Sequence, residues 1–271
     1  MLNGGSPHIY HQTEENFTSQ FFSLYAGTGG VYSGSVVMIP LRDTVPSSSF
    51  PAVTLALIVL NILIFLYQNN LGKEEERFVL QYGFVPAVYL HTSLADPLNF
   101  PARFGPMFSS MFLHGGWFHL IGNMWTLWIF GDNVEDRLGK VRFFLYYVAS
   151  GLAAVYIHYL TEQTSGLPVI GASGAIAGIM GGYFVLFPHS RILTLVPIFI
   201  FVQIVTIPAV WFLALWFLGQ LLSGIVTSSV QMHGGVAWWA HVGGFAAGAL
   251  LIFLLRQSMP NQLSPTSENM T

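Results

Sequence analysis

The chain alternates between long apolar runs and short polar breaks. Apolar residues dominate 52–68, 107–130, 143–160, 173–187, 208–225 and 236–255. A helix needs about 20 such residues to cross a hydrocarbon core, so the pattern predicts six membrane-spanning helices. Within the second run, His114, Gly115 and Gly116 mark a break or an entry turn. Residues 69–105 form a mixed loop with Lys73, Glu74, Glu75, Glu76, Arg77 and several prolines, and contain no span. Residues 131–142 read as a charged turn, and Pro188-His189-Ser190-Arg191 ends the fourth run. The stretch 192–207 is ambiguous: it is rich in Ile, Val, Phe and Thr and interrupted by Pro197, which fits a re-entrant or interfacial segment or a short span of its own. Three parts follow from the pattern: a polar, weakly ordered, cytoplasmic extension at 1–50, a membrane domain at 51–256 and a polar tail at 257–271.

Composition agrees with a membrane protein. Of 271 residues, 53% are hydrophobic and 8% charged, against about 25% charged in soluble domains. The mean hydropathy is +0.60. A net charge of -3 leaves no basic footprint for nucleic acid. Cysteine is absent, which removes disulfides, thiol catalysis and thiolate metal sites together. No Lys or Arg precedes Arg42, so the start of the chain lacks the basic flank of a signal peptide, and the first run reads as an anchor that stays. Placing the N-terminus in the cytoplasm puts Arg42, Arg137, Lys140, Arg142, Arg191 and Arg256 inside, as basic loop residues prefer. Both termini are then cytoplasmic, and the loops before residues 173 and 241 face outward.

Three polar islands interrupt the apolar runs. Ser173 lies in Gly171-Ala172-Ser173-Gly174, and His241 in Ala240-His241-Val242-Gly243-Gly244. His119 and Asn123 stand four apart, on one face of the second span. Polar groups at membrane depth are costly and point to function. A serine with a histidine base supplies a nucleophile, and two more donors can stabilise an oxyanion. Each residue also has a plainer role. Ser173 continues into the small-residue stripe Gly174, Gly178 and Gly182, which suits close helix packing, and His119 and Asn123 suit hydrogen bonding between helices. Gly244 and Gly248 follow His241 on one helix face, and docking them on the other stripe would bring His241 to Ser173. No Asp or Glu falls within a span, so the unit reads as a dyad. A metal site built on His114, His119 and His241 lacks HExxH, cysteine and carboxylates. Trp117, Trp125, Trp128, Trp238 and Trp239 fit interfacial belts and span packing.

Together these islands resemble the HxxxN, GxSG and AHxxGxxxG motifs of the rhomboid intramembrane serine proteases, over about residues 50–256. The resemblance implies an all-α polytopic membrane protein, a six-transmembrane-helix bundle. It implies Ser173 as nucleophile, His241 as general base, and His119, Asn123 and the Ser173 N–H as oxyanion donors. It implies no cofactor, a site in a cavity below the outer surface, a first loop partly embedded in the membrane, and single-span membrane proteins as substrates. Some family members carry a tyrosine four residues after the serine, packed on the histidine; Ala177 stands there, so something else positions His241. A Trp-Arg pair of the first loop is replaced near Gly105-Pro106. The sequence from Met38 is similar to the start of one prokaryotic branch, which implies a cytoplasmic (inner) membrane and makes 1–37 an upstream extension. A catalytically silent membrane-protein binding factor and a small-solute or proton transporter are the rival functions. Retention of both Ser173 and His241 argues against the first. The absence of internal repeats and of carboxylates within the spans argues against the second.

Overall fold

The computed structural model describes residues 38–198, 201–229 and 236–255. The extension at 1–37, the loop 230–235 and the tail from Arg256, used above for orientation, lie outside the described residues. In chain order the elements are β1 (Ile39–Asp43), α1 (Ala52–Asn69), α2 (Glu75–Tyr82), α3 (Pro86–Ala95), α4 (Phe100–Ser109), α5 (Trp117–Leu138), α6 (Lys140–Thr161), α7 (Ser173–Leu186), β2 (Arg191–Ile198), β3 (Phe201–Pro208), α8 (Ala209–Ser229) and α9 (Trp238–Leu255). Among the described residues four helices, α1, α6, α8 and α9, are long and apolar enough to cross a membrane. With α5 and α7 they make the expected six-helix polytopic bundle. The short helices α2, α3 and α4 fill the loop between α1 and α5, where no span was expected.

Helix α7 is the centre of the bundle. Every residue from Gly174 to Tyr183 is buried, the pattern of a helix enclosed on all sides. Helices α5, α6 and α9 surround it, and α9 packs on it most extensively. Glycine permits that approach: a side chain at Gly244 would overlap the Gly174 carbonyl, and one at Gly248 the Gly178 carbonyl. The expected docking of stripe on stripe is present, and the α7 stripe serves a second neighbour as well. Gly174, Gly178 and Gly182 turn their Cα faces to Ala154, Ser150 and Tyr146 of α6, while Gly181 is the α7 glycine set against the Phe245 carbonyl of α9.

The charged stretch 131–142 is not a turn. Asp132, Glu135, Asp136 and Arg137 lie in the last turns of α5, and the chain reverses at Gly139, with φ +75°. Helix persists because the carboxylates have partners. Glu135 is buried and accepts hydrogen bonds from the Val53 N–H (3.0 Å), the Thr54 N–H (2.7 Å) and the Thr54 hydroxyl (2.8 Å). It thus caps the first turn of α1, whose N-cap position is held by Pro51 without a side-chain acceptor. The second span likewise starts at Trp117 rather than at 107, because Met107 belongs to α4 and a 3-10 turn, Ser110–Phe112, follows it.

The ambiguous stretch 192–207 forms a pair of β-strands and not a spanning helix. Strands β2 and β3 pair antiparallel from Arg191↔Pro208 to Ile198↔Phe201, and β1 adds antiparallel to β2. The β-branched composition favours strands, and burial alternates with the strand period: Ile192, Thr194 and Val196 are buried while their neighbours are not. Strand β1 falls within the extension expected to be weakly ordered. It is held by the Trp125 indole N–H donating to the Pro40 carbonyl (2.7 Å), and by Asp43, which accepts from the Tyr183 hydroxyl (2.5 Å) and the Asn133 amide (2.9 Å).

Candidate active site

Three helices start at one place. Ser173 is the first residue of α7, while His119 and His241 lie in the opening turns of α5 and α9. The tight α7–α9 packing brings His241 Nε2 to 2.8 Å from Ser173 Oγ. On the other side of the ring, Nδ1 stands 2.7 Å from Gln220 Oε1 of α8. A carboxamide oxygen only accepts, so this placement suits the tautomer in which Nδ1 donates to Gln220 and Nε2 turns its lone pair to the serine hydroxyl. His241 is 2% exposed. The Trp216 and Trp238 rings flank it, with centroids 6.1 and 6.3 Å away. These contacts answer the question raised by Ala177: the imidazole is seated by α8 and by its own helix, not by a tyrosine on α7.

Gly171, two residues before Ser173, has φ +120° and donates its N–H to the Ser110 carbonyl (2.9 Å). A Cβ there would lie 2.6 Å from both Cε1 and Nε2 of His119, and 3.6 Å from Asn123 Nδ2. The imidazole and the amide therefore lean over the backbone that leads into Ser173. His119 Nδ1 accepts from the Gly115 N–H (3.4 Å), which makes Nε2 the donating nitrogen. Asn123 is 1% exposed, and neither of its side-chain polar atoms has a hydrogen-bond partner among the described residues. Interhelical glue would use that amide; a donor left for a ligand would not. All four residues singled out from the sequence are thus brought to one locus. A small cavity beside Ser173 is lined by Ser110, Val155, Gly171, Ala237 and Ala240. Among the described residues no group of three His, Asp or Glu side chains is placed to hold a metal ion.

Sequence reading passed over Gln220, although a lone glutamine inside an apolar helix is the same kind of signal as Asn123. Two further histidines sit inside the bundle. His114 is fully buried, its ring 5.1 Å from that of His119, and His158 of α6 is also buried.

Comparison with known proteins agrees with this architecture. The Rhomboid domain family model matches residues 101–258. The chain is 31% identical over 151 residues to a presenilin-associated rhomboid-like protein, mitochondrial, of Homo sapiens, covering 53% of this chain and 36% of that protein. It is 30% identical over 157 residues to Rhomboid protein 1, mitochondrial, of Saccharomyces cerevisiae, covering 56% and 42%. It is 29% identical over 231 residues to RHOMBOID-like protein 1 of Arabidopsis thaliana, covering 76% and 54%. The chain thus spans between about a third and a half of the length of these relatives. They are animal, yeast and plant proteins, two of them named mitochondrial, and these matches do not support the prokaryotic branch suggested by the sequence from Met38. The family match covers more than half of the chain and includes the starts of α5, α7 and α9, where His119, Ser173 and His241 converge: this chain belongs to the rhomboid domain family.

Proposed function

We propose that this protein is an intramembrane serine endopeptidase acting on single-span membrane proteins. The observation that carries the reading is the relay of contacts Gln220 Oε1, His241 Nδ1, His241 Nε2, Ser173 Oγ, a placement that suits the imidazole tautomer a general base requires. Ser173 Oγ attacks the scissile carbonyl carbon as its proton passes to His241 Nε2. The Oγ–C bond forms, and the carbonyl oxygen becomes an oxyanion held by the Ser173 N–H, His119 Nε2–H and the Asn123 amide. Breakdown expels the amine, which takes the proton from the imidazolium, and leaves an acyl-enzyme. Water then attacks the ester, gives its proton to His241, and Ser173 Oγ regains a proton as it departs.

Helix length supports a site within the membrane. Helix α7 has 14 residues, about 21 Å at 1.5 Å per residue, against a hydrocarbon core of about 30 Å. Its Leu186 end lies near charge, since the Arg137 guanidinium stands 6.0 Å over the Phe187 ring and Asp43 meets Tyr183. With that end at the interface, the Ser173 end falls short of the opposite face and sits below it. Six spans with both termini in the cytoplasm then open the site to the outer side.

The test is incubation of the detergent-solubilised protein with a single-span reporter, beside its Ser173→Ala twin. Cleavage by the wild type alone, with fluorophosphonate labelling that Ser173→Ala abolishes, is the expected result. Equal cleavage by both proteins removes Ser173 as the nucleophile.

A further inference from the structure

Among the described residues Gln220 is the one buried polar side chain of α8 that reaches the dyad. It is 0% exposed and lies 21 residues before its partner. From Ala209 to Leu222 helix α8 is otherwise apolar, and the helix turns Trp211, Leu215, Leu218, Leu222 and Ile225 outward. It packs on α9 and only lightly on α7. Its contacts with α9 include Trp239 Nε1, which donates to Ser228 Oγ (3.0 Å), and Gly224, where a Cβ would lie 3.2 Å from the Trp239 ring. Burying a carboxamide there is costly unless it is bonded. The bond it makes is to His241, while its Nε2 has no partner among the described residues. An amide that tolerates an unmatched N–H2 in order to aim its oxygen at one imidazole nitrogen is placed for that nitrogen.

We infer that Gln220 is a positioning residue for the general base, a third member of the relay contributed by α8. It holds His241 as the Nδ1–H tautomer and fixes the ring plane, so that Nε2 rather than Nε2–H meets Ser173 Oγ. With the amide reversed, Nδ1 would accept and Nε2–H would point at the hydroxyl, a form with no basic nitrogen facing the serine. Because Gln220 is neutral, it orients the imidazole without the electrostatic support for the imidazolium that a carboxylate supplies in a Ser-His-Asp triad. Among the described residues the ring nitrogens of His241 meet Gln220 and Ser173 and no carboxylate, so no anion performs that task. The same bond ties the competence of the dyad to the seating of α8.

This inference rests on the reading of Ser173 and His241 as nucleophile and base, and its tests separate the two. In the full-length wild type carrying 15N-labelled histidine, with the His241 resonances assigned by their loss in His241→Gln, Nδ1 should resonate as a protonated nitrogen and Nε2 as a bare one. An unprotonated Nδ1 overturns the proposal, whatever the activity. In kinetics, Gln220→Leu should lower kcat by about 10- to 100-fold with KM within about twofold, as expected of a misaligned base. Gln220→Glu keeps an oxygen at Nδ1. It should recover activity over the leucine variant and move the acid limb of the kcat profile upward by about one pH unit. Full activity in Gln220→Leu, or an unmoved acid limb in Gln220→Glu, defeats the role of Gln220 even where Ser173→Ala is dead. Activity in Ser173→Ala defeats the underlying reading instead.

Discussion

At Gly171 a single methyl group is too much. Its φ of +120° strains any L side chain, and the Cβ would press on His119 at 2.6 Å. Gly171→Ala should therefore displace the His119 imidazole and lower reporter cleavage by at least the about 10²–10³-fold expected for a lost oxyanion donor. A variant that cleaves at the wild-type rate would separate His119 from the reaction. Asn123→Ala makes the complementary case. The buried amide has no partner among the described residues, so its removal deletes an unsatisfied polar group rather than a hydrogen bond. The expected outcome is a rate loss of about 10²–10³-fold at most with an undiminished Tm. A lowered Tm at an unchanged rate would mark Asn123 as a structural residue. The sequence made Asn123 visible because polarity inside a span stands out. It could not show that the amide is unpartnered, which depends on every helix around it.

At the scale of elements, the bundle is set by backbone approach. Helix α9 reaches α7 because Gly244 and Gly248 let its backbone lie on the Gly174 and Gly178 carbonyls. Gly248→Leu, one turn farther from the site than Gly244, should force those helices apart. It should cost about 1–3 kcal/mol or more by overpacking, read as a lower Tm in detergent together with lost cleavage. An unchanged Tm would mean that the two helices are not so closely docked. Spacing revealed the stripe and its α9 partner but not its second neighbour: the glycines at 174, 178 and 182 also press on Ala154, Ser150 and Tyr146 of α6, and Gly181, outside the stripe, meets α9 too. Helix ends were harder to read for a related reason. Charge suggested a break at 131–142, whereas Glu135 is neutralised in effect by three donors from Val53 and Thr54, more than 80 residues earlier in the chain. The hairpin of β2 and β3 was open because a short apolar run fits strand and helix equally until its pairing is known.

At the scale of the whole molecule, Asp43 joins the sheet to the bundle. It bonds Asn133 on α5 and Tyr183 on α7, across 90 and 140 residues of chain. Burial raises its pKa above the ordinary 3.8, an effect only partly offset by the Tyr183 hydroxyl. The folded protein therefore holds this proton at a pH where the unfolded chain has lost it. The resulting stability is fully present below the unfolded value and is lost as pH rises through the raised one. Asp43→Asn removes the titration. Its Tm relative to wild type should rise with pH across that window, measured as paired thermal melts from acidic to neutral pH. A difference that stays flat would mean that Asp43 titrates normally in the fold.

By itself the sequence determined the membrane setting and pointed to four of the five polar residues that converge around Ser173. The reason is physical: a hydrocarbon core penalises polar side chains so strongly that run length and isolated polar residues carry information without any structure. Tertiary structure alone decided how those residues are used. It placed His241 on Ser173, set Gln220 against the far side of the imidazole, gave the α7 glycines a second neighbour in α6 and folded 192–207 into a sheet with β1. Each of these depends on contacts between residues far apart in the chain, and local periodicity does not encode which distant group will meet which.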